Sequence, residues 1–203
     1  MKNWTLQRVA VATGGTTYGD AKVAVTGVTT DSRTAGNGEL FVAIAGEHFD
    51  GHDYCDQAVA AGAVAVMTLP GCTDLQPRIE VDDTVGALLA LAVARRPELQ
   101  VPVIAITGST GKTSTKDMTA AAMGEAAWAS PASYNNEIGV PLTVLGAPDT
   151  ASALVVEVGS RGRGTSPRSR LRSSPTSLSS PTWGWCTWRR SEAPRFLPRP
   201  RPS

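Results

Sequence analysis

Val103-Ile104-Ala105-Ile106-Thr107-Gly108-Ser109-Thr110-Gly111-Lys112-Thr113-Ser114 decides the fold of this chain. Four apolar, mostly β-branched residues run into a glycine-rich turn, and Lys-Thr-Ser then opens a segment with helical spacing. Strand, loop and helix in that order predict a phosphate-binding P-loop. Glycine is needed in such a turn because side chains would keep backbone N–H groups from closing around phosphate oxygens. The helix start adds unpaired N–H groups and the positive end of its dipole. Thr107 to Ser114 are therefore the candidate nucleotide contacts, with Lys112 reaching a terminal phosphate and the Thr113 hydroxyl on Mg²⁺. The common spacing puts a glycine five positions before Gly111, where Ile106 stands instead, with the first glycine at Gly108. An ordinary βα turn with a surface lysine is the competing reading.

The rest of the composition narrows the class. A formal charge of +1 over 203 residues hides a split: residues 1–164 are net −6, whereas residues 165–203 carry eight Arg and one Glu. Such a basic tail ordinarily points to nucleic acid or membrane. Cys55, Cys72 and Cys186 show no metal-type spacing, and His48 and His52 are too few for a histidine metal site. No secretory signal pattern or membrane-length apolar run is present, so a cytoplasmic protein is expected.

Upstream of the P-loop, Trp4 to Ala12 is a short mixed segment and Ala21 to Val28 alternates like a strand. Thr30-Asp31-Ser32-Arg33 leads through Gly36-Asn37-Gly38 to a second strand, Leu40 to Ile44. Asp31, Ser32 and Arg33 are either a turn with an exposed ion pair or contacts for a phosphorylated or carbonyl-bearing ligand. Gly46-Glu47-His48-Phe49-Asp50-Gly51-His52-Asp53 is a polar loop, with Asp53 placed to cap a helix from about Tyr54 to Gly62. Ala63 to Met67 reads as a buried strand and Val85 to Ala94 as a helix. After the P-loop come a helix from Ser114 to Met123, a strand at Ala126 to Ser130, and a loop carrying Asn135 and Asn136. Ala153 to Val158 is a strand with Glu157 near its C-terminal end, where ligands gather in open α/β sheets. Glu157 is either a Mg²⁺ partner or a surface acid. The expected fold is α/β: a small N-terminal domain (1–97), a linker (98–102), the first part of a P-loop ATPase-type central domain (103–164) and a disordered tail (165–203).

These pieces resemble the Mur ligase family, the ATP-dependent amide ligases of peptidoglycan precursor synthesis. The resemblance is carried by Thr30-Asp31-Ser32-Arg33, Gly38-Glu39-Leu40-Phe41-Val42-Ala43, Gly46-Glu47, Asp50-Gly51-His52, Ile106 to Lys116, Asn135 to Pro141 and Glu157 to Gly162. It covers residues 1–164, and the family's P-loop also lacks the outer glycine. Lys116, the Asn-Asn-Glu-Ile-Gly-Val-Pro run and Ser160-Arg161-Gly162 favour members that add D-alanyl-D-alanine to UDP-N-acetylmuramoyl-tripeptide. Members that add the third amino acid are the nearest competitor. The resemblance implies that Asp31, Ser32, Arg33, Gly46, Glu47, Asp50 and His52 hold the UDP precursor. It further implies that Thr107 to Ser114, Asn135 and Asn136 hold ATP, Thr113 and Glu157 hold Mg²⁺, and Lys112 and Glu157 are catalytic. The expected protein is a monomer that binds neither nucleic acid nor membrane.

The tail is a different kind of sequence. Ser, Pro and Arg make up 24 of its 39 residues, a composition of disorder. The family continues after Gly162-Arg163-Gly164 with His-Ile and later reaches an Asn-Val-Gly-x-Ala-His-Leu segment. Tryptophan has a single codon, so Trp183-Gly184-Trp185-Cys186-Thr187-Trp188 constrains its own DNA. Read from the third base of the Pro181 codon, that DNA admits Asn-Val-Gly-x-Val-His-Leu, and Gly164-Thr165-Ser166 admits His-Ile in the same frame. A frameshift near Gly164 is therefore expected, which makes the basic tail an out-of-frame product and the chain an inactive truncated ligase. The alternative from a different class is a nucleotide-binding regulatory module with a functional basic tail.

Overall fold

The computed structural model describes residues 1, 4–46 and 48–159. Glu47, Ser160 to Gly162 and the tail from 165 to 203 lie outside the described residues, and with them the expectation of a disordered tail.

Helix α1 (Leu6–Thr13) starts where the Thr5 hydroxyl accepts the Arg8 N–H and ends at Gly14, whose φ of 71° is left-handed. It buries Leu6, Val9 and Ala10, the i, i+3, i+4 stripe of an amphipathic helix. Five strands follow: β1 (Thr16–Tyr18), β2 (Gly27–Thr29), β3 (Glu39–Val42), β4 (Ala65–Thr68) and β5 (Arg78–Glu80). They form one sheet in the order β1-β5-β4-β3-β2, parallel except for β1. Only Gly27 and Val28 of the expected strand at Ala21 to Val28 lie in β2.

Alternation along the central strands sorts the core into two layers. Leu40, Val42, Ala65 and Met67 pack with α1 and with α3 (Thr84–Arg95), through Val9, Leu88 and Leu91. Phe41, Ala43 and Val66 face the other way, onto Cys55 and Ala58 of α2 (Cys55–Ala61). With both faces covered, β4 is buried at every position, which is why it reads as an unbroken apolar run. Asp83 caps α3 by accepting from Val85 and Gly86 N–H. The cap expected at Asp53 is instead made by Asp50, which accepts the His52 N–H at the start of a 3-10 turn, Gly51–Tyr54, leading into α2. Asp50 wins because the tight turn places its carboxylate two residues before a free N–H.

The second sheet is fully parallel, with β8 (Ala153–Glu157) between β6 (Val103–Ile106) and β7 (Ala127–Ala129). All five residues of β8 are buried. Helix α4 spans Lys112–Met123, starting two residues earlier than its spacing predicts because Gly111 supplies the left-handed turn before it. Helix α5 (Gly139–Gly146) sends Leu145 into the core made by α1 and α3. Arg95, 2% exposed, closes that contact through Glu98, Asp149 and the Ala147 carbonyl.

Candidate functional site

The loop between β6 and α4 is open: Thr107, Ser109, Thr110, Thr113 and Ser114 are exposed. Gly111 has φ 74° with nothing within 4 Å of a built Cβ, so backbone angle, not space, calls for glycine there. At Gly108 a Cβ would meet nothing nearer than 3.6 Å. The chain itself does not require glycine at 108, whereas a ligand lying against the backbone would. No side chain caps α4, which leaves its first N–H groups for an acceptor from outside the chain. Lys112 arches back over the loop, its ammonium donating to the Gly108 carbonyl at 2.9 Å.

Glu157 ends β8 facing this loop and is 1% exposed. Its Oε2 accepts from the Thr113 hydroxyl at 2.9 Å and its Oε1 from the Asn135 amide at 2.8 Å. The Asn135 hydrogen bond does most to hold the carboxyl below its ordinary range. Burial opposes this, and the Thr113 bond with the charges of Lys112 and Lys116 adds to it. Glu157 is thus a buried carboxylate kept ionised by neutral donors and two nearby cations. Ser130, at the end of β7, accepts the Glu157 N–H through its hydroxyl at 3.2 Å. No pattern of charge or glycine marks Ser130; the only signal was a hydroxyl ending an apolar strand.

The two asparagines have different tasks. Asn136 accepts from the Ile138 and Gly139 N–H groups and starts α5, while Asn135 holds Glu157. Gly139 and Gly159 are tight: a Cβ on Gly139 would lie 2.7 Å from Tyr134, and one on Gly159 would lie 2.9 Å from the Asn135 carbonyl.

The other candidate group lies on the first sheet. Arg33 grips Asp31 with two side-chain bonds, 2.9 and 2.7 Å, and lowers the Asp31 carboxyl to about 2. Ser32 turns inward, donating to Gln57 Oε1 at 2.8 Å; Gln57 carried no signal in the sequence. Gly46 closes a turn by donating its N–H to the Phe49 carbonyl. His52 is 9% exposed, with Nδ1 2.5 Å from Asp50 Oδ1 and Nε2 accepting the Leu69 N–H at 3.1 Å. Because a backbone N–H can only donate, Nε2 is bare and the neutral ring carries its proton on Nδ1. Its two nitrogens are engaged inside the chain. Between Thr30 and the Asn135–Asn136 loop lies a cleft of about 210 Å³, lined by Thr30, Ser133, Tyr134, Asn136, Ile138, Gly139 and Leu142.

Among the described residues no three His, Cys, Asp or Glu side chains cluster as a metal site. Thr113 and Glu157 still present one hydroxyl and one carboxylate oxygen, the hard, sparse set that suits Mg²⁺ when phosphates and water complete its shell. Also among them, no helix is long and apolar enough to cross a membrane.

Residues 24–96 match the family described as "Mur ligase family, catalytic domain", and residues 106–176 match "Mur ligase middle domain". The chain is similar to the UDP-N-acetylmuramoyl-tripeptide--D-alanyl-D-alanine ligase of Bacillus subtilis, 42% identical over 143 residues, covering 68% of this chain and 31% of the relative. The ligase of the same name from Synechocystis is 39% identical, over 70% of this chain and 32% of the relative. Among solved structures, the D-alanyl-D-alanyl ligase from Acinetobacter baumannii superimposes with a TM-score of 0.69 and 34% identity, covering 79% of this chain and 37% of that one. MurF from Thermotoga maritima in complex with ADP gives 0.58 and 29%, covering 68% and 32%. The chain spans about a third of the length of the curated relatives it matches.

Proposed function

From the premise that this chain belongs to the Mur ligase family, we propose that it is part of an ATP-dependent ligase that adds D-alanyl-D-alanine to UDP-N-acetylmuramoyl-tripeptide. The observation that carries the reading is Glu157, buried yet ionised, bonded to Thr113 of the P-loop helix beside an uncapped helix start. The curated relatives named for this reaction support it.

The chemistry is phosphorylation of the tripeptide carboxylate, which turns a poor leaving group into a good one. The D-alanyl-D-alanine amine then attacks the acyl phosphate and phosphate leaves. The Thr107–Gly111 backbone and the first turn of α4 bind phosphate oxygens, and Lys112 swings from Gly108 to neutralise a terminal phosphate. Thr113 and Glu157 would hold Mg²⁺, which when bound offsets phosphate charge. Asp31 and Arg33 face the UDP-precursor, with the cleft beside Thr30 next to them in the chain. Most of the protein's work is positioning and charge neutralisation. The reading includes a cytoplasmic monomer acting on these small substrates and not on nucleic acid or membrane. It also makes 1–97 the precursor-binding domain and 103–164 part of the nucleotide-binding one.

The test is titration of the 203-residue chain with ADP and Mg²⁺, and separately with UDP-N-acetylmuramoyl-tripeptide. Lys112→Ala is expected to weaken ADP at least about tenfold and leave the precursor unchanged. ADP binding indifferent to Lys112 would overturn the reading.

A further inference from the structure

Lys116 lies one turn after Lys112 on α4 and is 3% exposed. Its ammonium donates to the Ser130 carbonyl at 2.7 Å and the Ala132 carbonyl at 2.9 Å, and lies 3.1 Å from Asp117. Both carbonyls belong to the turn that leaves β7. Ala132 has φ 44°, a left-handed conformation unfavourable for a residue with a Cβ. Three residues beyond it stands Asn135, whose amide meets Glu157 Oε1. Ser130 reaches the same residue by a second route, its hydroxyl accepting the Glu157 N–H.

Filling the space under α4 does not require a lysine. Methionine or leucine would do so without desolvating a cation or freezing a long polar stem. What a cationic side chain supplies there, and an apolar one cannot, is two or three donors aimed at neighbouring carbonyls. We infer that Lys116 is a positioning residue for Glu157: it clamps the strained 130–134 turn so that Asn135 arrives at the carboxylate. The functional consequence rests on the proposed role of Glu157 at the metal, whereas the clamp does not.

The test uses the full chain and variants Lys116→Met, Lys116→Arg and Lys116→Met with Ala132→Gly. In folded Lys116→Met without nucleotide, the Asn135 side-chain amide resonance is expected to move to the position of an unbonded amide. Arginine should restore it. Glycine at 132, which adopts the left-handed turn unaided, should restore it in part. With ADP as the probe, affinity in the absence of Mg²⁺ should stay within about twofold, while the half-saturating Mg²⁺ concentration rises about tenfold or more. An Asn135 resonance unmoved in folded Lys116→Met would overturn the inference. So would equal weakening of ADP with and without Mg²⁺. Should Lys116→Met not fold, Lys116→Gln, neutral with one donor group, gives the same comparison. If the unaltered chain does not bind ADP, the nucleotide reading falls and the Asn135 resonance alone decides the clamp.

Discussion

The hydroxyl of Thr113, second residue of α4, donates to Glu157 Oε2 at 2.9 Å and so joins residues 44 apart in the chain. A P-loop by itself is a local motif. Tied to the last residue of a buried parallel strand, it becomes a fixed site with a carboxylate at a set distance from the helix start. Asn135 holds the other oxygen, so neither lone-pair face of the carboxylate is left to wander.

Replacing Glu157 by Gln preserves shape and removes the charge. ADP without Mg²⁺ is expected to raise the melting temperature of the chain and of Glu157→Gln equally. Adding Mg²⁺ should raise it further only in the unaltered chain. Thermal denaturation with ADP, with and without MgCl₂, measures both.

Asn135 and Asn136 should separate cleanly. Asn136→Ala removes the acceptor of the Ile138 and Gly139 N–H groups at the entry to α5 and is expected to cost about 1 kcal/mol, the usual net worth of a hydrogen bond. Asn135→Ala leaves the Asn136 bonds at the entry to α5 but removes the donor to Glu157 Oε1, so its main effect should be on Mg²⁺-dependent ADP binding. Urea unfolding and ADP titration on the two variants check the division.

Arg33→Ala should weaken the UDP precursor and leave ADP alone. The same variant has a readout without ligand. Asp31 titrates at about 2 beside Arg33, through its side-chain and backbone hydrogen bonds to that residue. A depressed carboxyl contributes stability above its ordinary value of 3.8 and loses it as pH falls through about 2. Without the guanidinium, the ¹³C carboxyl titration of Asp31 should move up toward 3.8. The pair is exposed, so the melting temperature at neutral pH should hardly change.

Arg95→Met should be the most damaging of these changes to stability. It removes the Arg95 bonds to Asp149 and to Glu98, which keeps Trp4 and Arg8, and opens the contact that carries Leu145 into the first core. Breaking a buried ion pair on one side costs about 3–5 kcal/mol, and here the lower end applies because both carboxylates are partly exposed. Urea unfolding of the two proteins measures it.

The sequence made some of this legible and hid the rest for physical reasons. The P-loop was readable because glycine, lysine and a β-branched strand all encode local geometry. Glu157 was readable as a lone acid at the end of an apolar run. Strands β1 and β5 have three residues each and show no period to read. Helix α1 reads as a mixed segment, although Thr5, the Leu6-Val9-Ala10 stripe and Gly14 mark its two ends and its buried face. The apparent strand at Ala21 to Val28 alternates correctly, but Asp20 accepts the Lys22 N–H and turns the backbone away. Local hydrogen bonding there overrides the pattern. The inward turn of Ser32 onto Gln57 and the burial of Lys116 depend on partners 25 and 14 residues away, which no local reading supplies.

The order β6-β8-β7 also sets a timetable for synthesis. The P-loop strand and β7 never pair with each other; each waits for β8, the last of the three to leave the ribosome. Until residues 153–157 emerge, β6 has no neighbour in the sheet and the loop it carries has no frame. Local helices form early, while a pairing across some fifty residues must wait for loop closure. Glu157 comes at the end of that last strand. The strand that gives the phosphate loop its place in the sheet is therefore the same strand that carries the carboxylate, so loop and acid enter the fold through one pairing event.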